Sequence, residues 1–424
     1  MFAASFGAPR VSSRQAKLLV GMELICQFFV MKPFSLLALF LLSFASLSRA
    51  SVNTPGQFSV SESGAATFSV PIQVPRGIAG MEPNLSLSYT SGAGNGLLGL
   101  GWMLNGVSGV TRCPPTFATD GIRAGITFAD HPAANRDRYC LDGQRLVLTD
   151  AIGTRVAAQD GYGAGASEYR TERESFSRVR LVRAAASGAP DGFRVWTSSG
   201  LVMDFGLICD GPRPTDACSQ AANSRIPNHL GISTINRWMV ERIWDRSGNF
   251  VEFRYCRGKV TDPGNETSGC NVGSFLGSAV LAMIRYTSRV GTPGRNVVLF
   301  HYEDRPDKAP SFHAGSLSVQ QQRVAAIESY AGWISAGSPG SRAFRYELTY
   351  QGLEARATNA SRLVSIRQVG TDNSGLHPLT FVWETDAVFG QSTGLAGNAP
   401  GPVTPPFTDP CGGTGVSPIT PICP

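Results

Sequence analysis

The chain has 424 residues, 42% of them hydrophobic, with 23 Phe, 10 Tyr and 6 Trp. That composition excludes a disordered chain, and the length suits one large domain or two ordinary ones. The net charge is +6, but five Lys/Arg and one acid in the first fifty residues supply four of those charges. The near-neutral remainder supports neither nucleic-acid binding nor attraction to an anionic membrane.

Met31 to Ala50 reads as a secretory signal: Lys32 opens it, Phe34 to Leu47 is apolar but too short to span a bilayer comfortably, and Ser48-Arg49-Ala50 offers small residues at the two positions a signal peptidase reads. Cleavage is predicted before Ser51, with no stable membrane span left afterwards, and Met31 as the true start. The alternative is an uncleaved anchor from Leu18 to Leu47, interrupted by Glu23 and Lys32. Residues 1–50 are thus read as a leader with a signal helix, 51–385 as a β domain and 386–424 as a Gly/Pro-rich, disordered tail.

Phe58 and Val60 add a short strand to the lead-in. Phe68, Val70, Ile72 and Val74 then alternate with Ser69, Pro71 and Gln73; Leu85, Leu87 and Tyr89 alternate with Ser86, Ser88 and Thr90. A period of two means a sheet with one buried face. Pro71 cannot donate to a ladder, which predicts an edge position for the first of these strands. Gly94 to Gly99 formally fits G-x-G-x-x-G, but strands flank it on both sides and no helix opens at Gly99. It reads as a tight turn seating Trp102 and not as a dinucleotide cradle.

Further hairpins follow. Asp142-Gly143 turns between 138–141 and 144–148; 193–197 pairs with 201–205 around Ser198-Ser199-Gly200; Asp245 to Asn249 turns within 238–255. Leu281–Tyr286 pairs with Val297–Tyr302, Val324–Tyr330 with Phe344–Tyr350, and 363–369 with 379–383 around Asp372-Asn373-Ser374-Gly375. Ser316 to Tyr330 is the best helix candidate, its second half leaning to strand. The recurrence of hairpins without an exact period predicts an all-β fold, a continuous winding antiparallel sheet.

Removing Cys26 with the leader leaves eight cysteines, in four near-neighbour groups: Cys113 and Cys140, Cys209 and Cys218, Cys256 and Cys270, Cys411 and Cys423. An even set at short separations in an exported chain points to local disulfides, although eight cysteines allow about 105 pairings. No C-x-x-C occurs and the five histidines are scattered, so no zinc site is expected.

The strings Gly64-Ala65-Ala66, Ile72-Gln73-Val74-Pro75, Gly80-Met81-Glu82-Pro83, Leu85 to Tyr89, Gly94 to Gly99, Gly101-Trp102 and Thr111-Arg112-Cys113-Pro114 closely resemble the N-terminal domain of the Salmonella virulence plasmid B protein (SpvB) family. That domain is shared with the B components of insecticidal toxin complexes and with Rhs-type toxins. The resemblance extends more weakly to about Trp383, and Trp238 to Tyr255 resembles the Tyr/Asp hairpin repeats of Rhs proteins. It implies a segment of a β-rich shell that helps enclose and deliver a toxic cargo, secreted by way of the periplasm, with the host cell as a further location. Family members usually run many hundreds of residues longer, so a larger Rhs-type or toxin-complex protein is the expected partner.

No catalytic constellation survives inspection, and neither cofactor nor metal is expected. Glu172-Arg173-Glu174 is an E-x-E, the acidic pair that ADP-ribosyltransferases use, but no Ser-Thr-Ser strand precedes it and a solvated strand face explains it. Asp372 to Gly375 has the flavour of a calcium loop without the further carboxylates. The readings in competition are a non-enzymatic shell module, an ADP-ribosyltransferase-associated toxin fragment, and a cell-surface adhesion module with the tail as linker.

Overall fold

A computed structural model describes residues 53–128, 137–150, 153–154, 162–183, 190–228, 234–274, 277–308, 310–351 and 360–383. The signal at 31–50, the tail at 386–424 and the pair Cys411 and Cys423 lie outside the described residues. The described chain is almost entirely β, and every strand pairing is antiparallel.

It begins with β1 (Gln57–Val60), β2 (Ala66–Ile72) and β3 (Leu85–Thr90), a small hairpin of β4 (Asn95–Gly96) and β5 (Gly99–Leu100), and β6 (Trp102–Asn105). Strands β1, β2, β3 and β6 form one sheet in that order. Val70, Ile72, Leu85 and Leu87 are buried, as alternation requires. The edge position predicted for the Pro71 strand is not found: β2 lies between β1 and β3. Pro71 is tolerated because the β1 pairing stops at Ser69, so the missing N–H has no ladder partner to lose. The glycine run is a turn that seats Trp102, which is buried. Gly101 takes a φ of +77°, and a Cβ there would stand 2.4 Å from the Tyr89 ring, so only glycine fits.

Next come β7 (Gly109–Cys113), β8 (Arg138–Leu141), β9 (Gln144–Thr149), β10 (Glu168–Thr171), β11 (Arg178–Arg183), β12 (Pro190–Trp196) and β13 (Val202–Phe205). Three short strands follow, β14 (Leu207–Cys209), β15 (Cys218–Gln220) and β16 (Arg225–Pro227), before the ten-residue β17 (Ile235–Trp244). The β8–β9 turn has positive φ at both Asp142 (47°) and Gly143 (79°), the geometry that matches strand twist in two-residue hairpins.

Strand β17 closes a barrel. Successive residues of a strand point their amides to opposite edges. The Val240 N–H donates to Ser108 on the β7 side; Met239 donates to Ser224 and accepts from Gly206 on the other. With β13 paired to Val240–Trp244, the ring runs β7-β8-β9-β10-β11-β12-β13-β17 and back to β7. An eight-stranded barrel has room for side chains and little else. Tyr139, Tyr162, Tyr169, Phe193 and Trp238 fill it, with ring centroids 4.9 Å apart for Tyr139–Phe193 and 5.2 Å for Phe193–Trp238. The buried Tyr162 hydroxyl donates to the Leu146 carbonyl at 3.0 Å and accepts from the Tyr139 N–H at 2.9 Å.

The C-terminal half of β17 also pairs with β18 (Asn249–Cys256), and the sheet runs on as an open array. A ribbon of β19 (Lys259–Val260) and β20 (Cys270–Asn271) interrupts the chain before β21 (Val280–Arg289) and β22 (Asn296–Asp304). A second ribbon, β23 (Pro310–His313) and β24 (Ser316–Val319), precedes β25 (Gln322–Ala331), β26 (Ser341–Tyr350), β27 (Leu363–Val369) and β28 (Leu379–Thr380). The helix candidate at Ser316–Tyr330 is therefore two strands, β24 and β25, with Gln320 and Gln321 between them. Ladders to β22 and β26 hold β25 extended and override local preference.

The N-terminal sheet packs on the open array. Phe253, Tyr255, Ile284, Tyr286, Val298, Phe300, Ile327, Tyr346 and Ile366 share one core with Val70, Ile72, Leu85 and Trp102. The Tyr346 hydroxyl accepts from the Gln73 N–H at 2.8 Å, and the Tyr286 hydroxyl donates to the Pro75 carbonyl at 2.7 Å. The opposite face carries ion pairs. Glu328 accepts from Arg345 at 2.6 Å, from the Tyr330 hydroxyl at 3.0 Å and lies 2.8 Å from His301.

Three disulfides join Cys113–Cys140, Cys209–Cys218 and Cys256–Cys270 across 27, 9 and 14 residues. Closing loops of that size removes unfolded-state entropy worth roughly 3 kcal/mol each. The Cys113→Ser/Cys140→Ser double variant is expected to lose about 2–4 kcal/mol in urea unfolding; an unchanged midpoint under oxidising conditions would show that the bridge contributes nothing.

Candidate functional site

The residues that sequence reasoning singled out do not converge. Glu172, Arg173 and Glu174 lie in the exposed turn between β10 and β11, not on a strand face, and Glu174 accepts the Phe176 N–H at 2.6 Å. Asp372 accepts from the Ser374 N–H at 3.0 Å and hydroxyl at 2.6 Å, the bonds of a plain turn. Among the described residues no group of three or more His, Cys, Asp or Glu is placed to hold a metal ion, and no helix is long and apolar enough to cross a membrane. The three bonded cysteine pairs sit apart: one ties β7 to β8, one clips the β14–β15 ribbon, and one ties the end of β18 to β20.

The molecule's open feature is the outer rim of the N-terminal sheet. Strand β1 pairs only with β2 among the described residues, so its other edge presents unpaired backbone groups. Phe58 and Val60 on this strand are 68% and 61% exposed. Next to Phe58 opens an apolar groove of about 440 Å³, lined by Phe68, Tyr89, Trp102, Leu379, Phe381 and Trp383. It forms where the first sheet meets the last strand of the second. Phe381 packs on Trp102 at 4.9 Å and on Phe68 at 5.8 Å, while the Trp383 indole donates to the Leu363 carbonyl at 2.7 Å. The sequence marked Phe58 and Val60 as a strand but not as exposed, and nothing there placed Phe381 beside Phe68 across more than three hundred residues.

A buried polar cluster fixes the glycine turn behind this rim. Asp307 accepts from Arg305 at 3.0 Å, from the Asn95 side-chain amide at 2.7 Å and from the Ser361 hydroxyl at 2.6 Å. Burial alone would raise its pKa; these donors instead hold it far below the ordinary carboxylate range. Glu328 is likewise held down to about 2, its His301 and Arg345 contacts outweighing burial. Both clusters are saturated with partners and read as structural.

Solved structures with this fold include chains of TcdB2-TccC3 and of a Tc holotoxin, and a domain of an effector protein. The TcdB2-TccC3 crystal structure superposes with a TM-score of 0.58 at 17% identity, over 80% of this chain and 18% of that one. The Photorhabdus luminescens Tc holotoxin pore gives 0.57 at 18% identity, over 79% and 16%. The N-terminal domain of the effector SpvB from Salmonella typhimurium strain LT2 gives 0.52 at 16% identity, over 71% of this chain and 98% of that domain. The chain thus spans under a fifth of the toxin-complex chains it matches, and nearly all of the SpvB domain. No curated protein matches it. The family model described as SpvB, Salmonella virulence plasmid 65kDa B protein, matches residues 60–295, and this chain belongs to that family.

Proposed function

We propose that this chain is a secreted, non-enzymatic wall module of a bacterial toxin assembly, docking through its β1 rim onto a larger toxin-complex or Rhs-type protein. The observation that carries the reading is the unpaired β1 edge with Phe58 and Val60 exposed beside an aromatic groove. An exposed apolar edge of this kind is a template for another chain's strand, and soluble proteins ordinarily blunt or cover such edges. The chains of similar fold belong to multi-component toxins, which supports a large partner of that class. Export through the signal at 31–50 and the division 1–50, 51–385, 386–424 form part of the same proposal, and three disulfides suit an oxidising compartment.

The test is co-purification with the Rhs-type protein encoded nearest to this gene. Phe58→Asp/Val60→Asp is expected to weaken binding at least about tenfold, since each charge would face an apolar contact, while leaving the fold intact because both side chains are exposed. Full-strength binding by that variant, or no binding by wild type, would overturn the docking assignment.

A further inference from the structure

A second cavity, of about 230 Å³, opens among β17, β18, β21 and the loop closed by Cys256–Cys270. Glu241 of β17 lines it at 8% exposure. Ser224 hydrogen-bonds to the carboxyl group, and Oε2 is buried without a partner. The other carboxylates lining the cavity are engaged. Glu252 pairs with Arg242 at 3.1 Å and Arg254 at 3.6 Å; Glu266 pairs with Arg254 at 2.6 Å and with Arg285; Asp262 accepts the Gly264 N–H at 2.9 Å. Four carboxylates thus face three guanidiniums, leaving the cluster one positive charge short when all are ionised.

A buried ionised carboxylate without a partner is costly. Burial, reinforced by the charge on Glu252, pushes Glu241 up to about 7, and Arg242 and Arg254 offset only part of this. Tyr255, which lines the same cavity, is raised by burial and by the Glu241 charge. A divalent metal would need a set of ligands that the described residues do not bring together. One free oxygen suits a compact ammonium better than the two-pronged guanidinium fork, and Ile208, Ala282 and Met283 offer apolar wall for a methylene chain.

We propose that this cavity binds a primary alkylammonium group, with Glu241 as its counter-ion. The group has two possible sources, a free small amine or the lysine side chain of a bound polypeptide.

Calorimetry on the full chain at pH 8 tests this with n-butylamine, n-butanol as the neutral isostere, and the N-acetylated peptide Gly-Gly-Lys-Gly-Gly, whose lysine is its one primary amine. Butylamine is expected to saturate the wild type, butanol to show no saturable binding, and Glu241→Gln to weaken butylamine at least about tenfold. In wild type the affinity should fall about tenfold per pH unit below 7, because a proton then competes for the same oxygen. Peptide binding with the same dependence on Glu241 assigns a polypeptide lysine; butylamine binding alone assigns a free amine. Glu241→Gln also reports on folding. Between the ordinary glutamate pKa and about 7 the folded wild type keeps a proton that the unfolded chain has lost, so its melting temperature should fall relative to the variant as pH rises from 5 to 8. Absence of saturable amine binding, equal binding by butanol, or binding unaffected by Glu241→Gln would overturn the assignment.

Discussion

Trp238→Ala is expected to cost about 3–5 kcal/mol, enough to unfold much of a domain of ordinary stability. Trp238 is fully buried in the barrel, edge-on to Tyr139 at 5.7 Å and Phe193 at 5.2 Å, with the Arg112 guanidinium 5.6 Å from its ring. Truncation would leave a large void that barrel walls, tied by ladders on both sides, cannot collapse to fill. Its position matters as much as its volume. Trp238 sits on β17, whose first half pairs with β7 and whose second half pairs with β13 and β18. Barrel and open array therefore share a strand, and the variant is predicted to lower the urea midpoints of both together. Trp238→Phe should cost much less, because the indole N–H has no partner in the core and phenylalanine removes that unsatisfied donor along with the smaller ring. Far-UV circular dichroism against urea measures both. Equal costs for the two variants, or a barrel that melts while the array stays folded, would contradict the shared-strand account.

The second large effect belongs to Asp204→Ala, also expected to cost about 3–5 kcal/mol. Asp204 accepts from Arg194 Nε at 2.7 Å and from the Trp244 indole at 2.7 Å, and both members of the ion pair are buried. Arg194 further donates to the carbonyls of Arg213 at 2.6 Å and Gly211 at 2.6 Å, inside the loop clipped by Cys209–Cys218. Removing the carboxylate strands a guanidinium in a dry site and leaves an indole N–H unpaired. Asp204→Asn keeps an acceptor for Trp244 and should lose only about 1–3 kcal/mol. An apolar pair at 194 and 204 would not restore the wild-type value, since the two loop carbonyls would lose their donor. A drop of under about 1 kcal/mol for Asp204→Ala would show the pair to be dispensable.

The strands were legible because their apolar residues alternate and their turns carry glycine with aspartate or asparagine. Asp142-Gly143 and Asp245 to Asn249 are turns as expected, and the array hairpins pair as alternation predicts. Closure was not legible. It depends on β17 exchanging neighbours halfway along, and no local pattern in Asn236 to Trp244 announces that change. Pro71 misled for a related reason: the proline rule forbids a ladder bond at one residue, and a strand can satisfy it by outlasting its neighbour. The segment 316–330 shows tertiary pairing prevailing over a mixed local preference. Of the candidate site, only the strand carrying Phe58 and Val60 could be read from the lead-in; their exposure and the groove beside them, assembled from both ends of the described chain, could not.

Hydrogen exchange at the amides of Gln57–Val60, with and without the Rhs-type partner, tests the docking claim most directly. Strand addition at the rim predicts fast exchange in the free chain and strong protection of alternate β1 amides in the complex, with burial of the groove around Phe381 and Trp383. A stable complex that leaves β1 exchange unchanged and protects a different surface would contradict it.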